Sequence, residues 1–295
     1  MEEISQYWKS NLKDESMRTI MNEYLLSLKL ENKAERTIRN YRWFLERFFT
    51  MCTIPLNLLT SEDVKEYLNH FTYGKKEKTV DVYLSALSSF LQFCFAEEYI
   101  RNIVIKKRWR PKIRQPLPKY LNEKEFAKVK VTAEKVPPRD RALILFLFSS
   151  GCRSSEVSRL SIQDVNLENR SAEVTGKGKR IRRVHFSEEC AIALCDYLQT
   201  RSSKGIEPLF LDNSGQRIQT KAIYYIIRKL GKRAGMKQSL YPHCCRHTFA
   251  TNTLARGATL EFIADQLGHV NLNTTRIYAR ILTEDMIIAY QNKMG

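Results

Sequence analysis

The chain has 295 residues, 43% of them hydrophobic and 27% charged, and 49 Lys/Arg against 32 Asp/Glu give it a formal charge of +17. That length fits two domains, each with its own core. Composition argues against a membrane protein, because no apolar run approaches a span of about 20 residues, and the polar, acidic start MEEISQYWKS argues against a secretory leader. Seven cysteines in no regular spacing read as buried free thiols in a reducing, cytoplasmic setting rather than as a disulfide framework.

The charge is unevenly spread. Residues 1–112 carry 19 Lys/Arg and 15 Asp/Glu, and residues 113–295 carry 30 and 17. A polyanion, most often nucleic acid, is the first partner to consider, and a merely soluble basic surface is the alternative.

Along the first half, apolar side chains recur at helical spacing at Ile20, Tyr24, Leu25 and Leu28, and again at Ile38, Tyr41, Leu45 and Phe48. The polar stretch ENKAERT separates these two helices. Thr60-Ser61 before EDVKEYLNHF predicts a capped third helix with acids in its first turn. A fourth helix is predicted from near Thr79 through VDVYLSALSSFLQFCFAEEY. Four helices with short joints make an all-α domain over residues 1–110. From Arg101 to Arg114 there are seven basic residues and no acidic one. Prolines at 111, 116 and 118 keep the next stretch extended, so residues 111–120 form a basic linker.

The second domain, 121–295, opens with the N-capped helix LNEKEFAKV and the apolar helix RDRALILFLFSSG, which stops at Gly151. SAEVTGKGKRIRRVHF alternates like two short strands around a Gly-Lys-Gly turn. TKAIYYIIRKLGKRAG is an amphipathic helix in which at least one of Tyr224 and Tyr225 is expected in the core. Pro242 starts a helix running to about Arg256 and closed by Gly257. TLEFIADQLGH and LNTTRIYARI follow as two more. The fold class is thus mostly α, with a small hairpin in the second domain.

Chemistry concentrates in PHCCRHTFAT, where His243, Cys244, Cys245, Arg246 and His247 are consecutive. Zinc is a poor reading, because adjacent cysteines leave a helix about 100° apart and no partner pair lies at metal-ligand spacing. His243 and Arg246 are i,i+3 and share a face. The guanidinium fork suits two phosphate oxygens, and the imidazole adds a donor to the same group. By themselves they would equally fit a core histidine and a surface arginine.

They do not stand by themselves. SSGCRSSEVSRL, TGKGKRIRRV, PHCCRHTFAT and LGHVNLNTTRIYAR resemble, in order, the boxes of the tyrosine recombinase (phage-type integrase) family. The resemblance places the family's catalytic groups at Arg153, Lys177, His243, Arg246, His269 and Tyr278, with Glu156 as the acidic partner. Residues 16–110 resemble, more softly, the family's helical, SAM-like core-binding domain, in the compact Xer-like layout with no arm-binding domain ahead of it. Cys152, Cys245 and Asn102-Ile103 depart from the usual residues at positions that concern packing or chain direction.

By this resemblance, Tyr278 attacks a DNA phosphodiester, forming a 3′-phosphotyrosine and releasing a 5′-hydroxyl. Arg153 and Arg246 clamp the non-bridging oxygens, His243 and His269 complete the shell, and Lys177 protonates the leaving oxygen. Glu156 orients the site. No metal or other cofactor is implied. His247, one residue round from Arg246, is expected to pack structurally. Lys106, Lys107, Arg108 and Arg110 in the linker, and Arg228, Lys229, Lys232 and Arg233 on the amphipathic helix, are expected to contact DNA phosphates, with a solvated basic face as the alternative. Met286, Ile287 and Ile288 suggest a C-terminal helix docking in trans within a tetramer on DNA, or packing in cis. Two rival readings remain: a type IB topoisomerase-like relaxing enzyme, and a catalytically silent DNA-binding regulator of the same fold.

Overall fold

The computed structural model describes residues 6–113, 118–176, 178, 180–201, 207–269 and 271–281. It divides into two compact units, Met1–Gln115 and Pro116–Gly295.

The first unit is built on helices α1 (Glu15–Leu30), α2 (Glu35–Met51), α3 (Ser61–Thr72) and α4 (Glu77–Ala96). Asp14 caps α1 by accepting the Met17 N–H, and Thr60 closes a reciprocal capping box with Asp63 at the start of α3. Met21, Leu25 and Leu28 from α1 meet Ile38, Leu45 and Phe48 from α2 in one core. Phe44 stacks on Tyr83 of α4 at 4.5 Å between ring centroids. Contrary to the reading of the sequence, α4 is long and apolar enough by composition to cross a membrane. Here its Leu84, Leu87, Phe90 and Leu91 are spent on the core.

The basic stretch begins inside this unit. Residues Lys107–Trp109 form a 3₁₀ turn, and Val104, Ile105 and Trp109 pack against the core. The Ser61 hydroxyl donates to the Val104 carbonyl at 2.7 Å. Interleaved apolar residues, invisible in a count of charges, anchor a segment that looked like free connector.

The second unit contains α5 (Glu123–Ala133), α6 (Pro138–Ser150), α7 (Ser154–Arg159), α8 (Glu188–Thr200), α9 (Thr220–Arg233), α10 (Pro242–Ala255) and α11 (Leu260–Leu267). Residues 276–281 are also helical. Strands β1 (Val165–Asn166), β2 (Ser171–Thr175) and β3 (Ile181–His185) form an antiparallel sheet in that order. Every residue of α6 from Ala142 to Phe148 is buried, as expected of a helix surrounded by others. The Asn122 capping box starts α5. Helix α8, which the sequence reading left unassigned, begins where Ser187 accepts the Cys190 N–H.

Register matters in the sheet. Ala172 pairs Val184 and Val174 pairs Arg182, so Arg182 projects from the same face as three buried apolar residues. A cation aimed inward there requires a partner.

Candidate active site

Helix α6 ends at Gly151, which adopts φ +64 as its C-cap. A Cβ there would lie 2.5 Å from Phe249 Cδ1 and 2.7 Å from Leu267 Cδ2. Only glycine satisfies both the left-handed turn and that approach. Two residues on, Arg153 caps α7 and is locked to Glu156. The carboxylate accepts from the Arg153 backbone N–H and Nη1, both at 2.8 Å, and from Arg182 Nη1 and Nη2 at 2.9 and 3.0 Å. Glu156 is 1% exposed. Burial pushes its pKa up, but the Arg182 and Arg153 hydrogen bonds outweigh it and hold the carboxyl below the usual glutamate range.

Arg182 is the member of this array that the sequence reading missed. Its Nε donates to the Gln266 carbonyl at 3.0 Å, and its guanidinium lies 3.0 Å from where a Cβ on Gly268 would sit. Gly268, at φ +66, ends α11. The signal was period two: Arg182 is in phase with Val184.

Arg246, on α10, is 3% exposed. Its Nη1 donates to the Gly151 carbonyl at 2.9 Å, and its Nη2 to the Leu267 carbonyl at 2.8 Å. Both acceptors are orphan carbonyls at helix C-termini, where partial negative charge favours a cation. Nη2 also lies 2.9 Å from His269 Nε2. Arg246 can only donate, so Nε2 accepts and the His269 proton sits on Nδ1, which donates to Thr275 Oγ1 at 2.9 Å. These bonds use three of the five guanidinium N–H donors. Burial and Arg153 bring the Arg246 pKa down to about 10, still cationic at neutral pH. Burial, Arg246 and Arg153 bring His269 down to about 4, so its imidazole is neutral.

Tyr278 lies 2% exposed against Phe249, Ile263 and Leu267. Its hydroxyl is 3.0 Å from His247 Nδ1. Burial raises the phenol above its ordinary value of 10.0, against the pull of Arg246 and Arg153. His247, expected to pack structurally, engages the Tyr278 hydroxyl through this bond. On α10 it follows His243 by four, so both rings share a face, 6.4 Å apart between centroids. His243 is solvent-exposed, yet the protein around it, Arg246 and Arg153 lower its pKa. Cys244 and Cys245 turn into the core. Thus Arg153, Glu156, His243, Arg246, His269 and Tyr278 converge, joined by Arg182 and His247. Lys177 lies outside the described residues, as do Met286, Ile287 and Ile288.

Arg228, Lys229, Lys232 and Arg233 are exposed along α9, whose buried stripe is Ile223, Ile227 and Leu230. Tyr224 and Tyr225, against expectation, are both exposed beside them, because the apolar stripe of Ile223, Ile227 and Leu230 lies to one side of both. Lys106, Lys107, Arg108 and Arg110 are exposed on the first unit, where Arg110 donates to Asp81 at 2.9 Å.

Buried cations, neutral imidazoles and one phenol are thus gathered in one place. Known proteins define the class. The sequence profile of the Phage integrase family matches residues 119–285, and that of the phage integrase N-terminal SAM-like domain matches residues 21–98. The chain is 31% identical over 283 residues to tyrosine recombinase XerC of Thermodesulfovibrio yellowstonii, covering 92% of this chain and 94% of that one. It is 32% identical over 272 residues to tyrosine recombinase XerA of Pyrococcus horikoshii, covering 90% of each. Among solved structures, XerH site-specific recombinase bound to palindromic difH substrate shares the fold at TM-score 0.75 and 23% identity, covering 97% of this chain and 91% of that one. The chain belongs to the phage integrase family of tyrosine recombinases. Its likeness to Xer proteins runs through both units, and it is a site-specific DNA recombinase.

Proposed function

We propose that the chain cleaves and rejoins double-stranded DNA at specific recombination sites through a 3′-phosphotyrosine on Tyr278. The Tyr278 oxygen attacks phosphorus while Arg153 and Arg246 hold the non-bridging oxygens in a fixed, largely water-excluded setting. Such preorganised donors are worth on the order of 10²–10³ in rate each. His243 donates a further hydrogen bond to the phosphate. His269 acts through Arg246, whose fork it steadies, and Lys177 gives a proton to the departing 5′-oxygen. Glu156 and Arg182 keep Arg153 aimed. The ester on Tyr278 conserves the cleaved bond for rejoining to a second 5′-hydroxyl.

The observation that carries this reading is the Tyr278 hydroxyl bonded to the helix that also bears His243 and Arg246. The exposed cations of α9 and those of residues 106–110 supply phosphate contacts, which position the enzyme without specifying sequence. Working as a tetramer on paired sites would let strands exchange rather than merely relax. Seven free cysteines suit a cytoplasmic DNA enzyme.

A nicked suicide substrate tests the chemistry: the intact enzyme accumulates a covalent protein–DNA complex and Tyr278→Phe does not. Recombination between two sites on a plasmid separates this reading from a relaxing enzyme. A chain that binds the sites but forms no covalent complex would instead be a regulator.

A further inference from the structure

The mechanism above leaves one proton without an owner. A phenol pushed above its ordinary pKa enters the reaction protonated, and its oxygen becomes a nucleophile only as that proton departs. The acceptor has to lie within hydrogen-bond reach of the hydroxyl.

Three histidines surround the site, and their engagements differ. His269 has both ring nitrogens occupied, by Arg246 and by Thr275. His243 is exposed to solvent. His247 Nδ1 lies 3.0 Å from the Tyr278 oxygen, with the two rings 5.8 Å apart and tilted 50°. Among the described residues it is the one side chain hydrogen-bonded to that hydroxyl. With the imidazole proton on Nε2, the Nδ1 lone pair faces the phenolic proton.

We propose that His247 is a catalytic residue that holds the Tyr278 hydroxyl and takes its proton as the bond to phosphorus forms. This rests on Tyr278 being the nucleophile. In the forward step the Tyr278 Oη–phosphorus bond forms and the phosphorus–O5′ bond breaks. The phenolic proton passes to His247 Nδ1, and O5′ collects a proton from a separate acid. On rejoining, every transfer reverses and His247 returns the proton to the departing phenol.

The groups facing His247 explain why it does not ionise the phenol prematurely. Burial, then His243 and Arg246, lower its pKa to about 4, and His269 faces it from the turn after α11. It is therefore neutral, with an open lone pair, but a weak base at rest. A phosphodiester entering beside Arg246 brings a negative charge that offsets part of that depression. Basicity rises when there is something to attack.

The test is single-turnover cleavage by full-length protein on two substrates, one ordinary and one with sulfur replacing the bridging 5′-oxygen. Sulfur departs as thiolate without needing a proton, so it rescues defects on the leaving-group side only. His247→Asn keeps an amide near the Nδ1 position that accepts a hydrogen bond but takes no proton, and His247→Leu removes both functions. Expected is a fall of ~10²-fold or more in both variants, unrelieved by sulfur, with DNA affinity and thermal unfolding near wild type. His247→Asn cleaving within about threefold of wild type, or either variant recovering on the sulfur substrate, overturns the proposal. Should either variant fail to fold, His247→Gln replaces it under the same criteria. Failure of the underlying reading looks different: wild type then forms no covalent complex, or Tyr278→Phe still forms one.

Discussion

Replacing Glu156 by Gln removes a single charge from the most enclosed polar contact of the site. The carboxylate is 1% exposed and accepts four hydrogen bonds, two each from Arg153 and Arg182. Deleting one partner of a buried ion pair costs about 3–5 kcal/mol. Glutamine keeps one acceptor oxygen but turns its NH₂ toward guanidinium hydrogens. Arg153 keeps partial access to water, with its side chain 31% exposed, so the lower end, about 3 kcal/mol, applies. For a unit of this size that corresponds to a loss of roughly 6–12 °C in melting temperature. Calorimetry of full-length protein at pH 7 reads it directly. The pH dependence gives a second check. Glu156 has a lowered pKa in the fold, so its stabilisation is complete above the unfolded value of about 4.3 and is lost as pH falls through the folded one. The gap between wild type and variant should therefore begin to narrow as pH falls below about 4.3. A gap under about 2 °C at pH 7, or one that persists unchanged to pH 3, would refute the reasoning.

Other outcomes follow from the same geometry. Gly151→Ala places a Cβ against Phe249 at a left-handed position, and should cost about 1–3 kcal/mol in urea unfolding while disturbing the carbonyl that holds Arg246. His247 and His269 are both held at about 4, against 6.5 for an ordinary imidazole. Both pKa values are depressed in the fold, so the catalytic unit should lose stability as pH drops from about 6.5 toward 4, seen as a falling urea midpoint. Removing Arg228 or Lys232 from α9 should weaken DNA binding across sequences and flatten the salt dependence by about 0.9 in log–log slope per lost phosphate contact. A slope unchanged by both substitutions would assign these residues to a solvated face.

Much of this was legible from local rules. Caps at Thr60 and Asn122 and the glycine stop at Gly151 set helix ends that structure and sequence share, since each depends on neighbours within four residues. The motif boxes brought together Arg153, Glu156, His243, Arg246, His269 and Tyr278 from separate stretches of the chain. What escaped depended on distant partners. Arg182 looks like one more hairpin cation until Glu156 and the Gln266 carbonyl, 84 residues away, are beside it. His247 was judged by its angle to Arg246, when its i,i+4 relation to His243 and the return of the chain at Tyr278 decide its surroundings. Trp109 anchors a stretch that charge alone made look like linker. Tyr224 and Tyr225 both lie to one side of the buried stripe of Ile223 and Ile227, which periodicity marks without fixing its edges.

The most direct measurement maps the DNA adduct. Trypsin cuts after Arg276 and Arg280, so a suicide-substrate complex digested with trypsin and nuclease should yield Ile277–Arg280 carrying a nucleotide on Tyr278 by mass spectrometry. A nucleotide on any other tyrosine, or an adduct surviving Tyr278→Phe, would contradict the account.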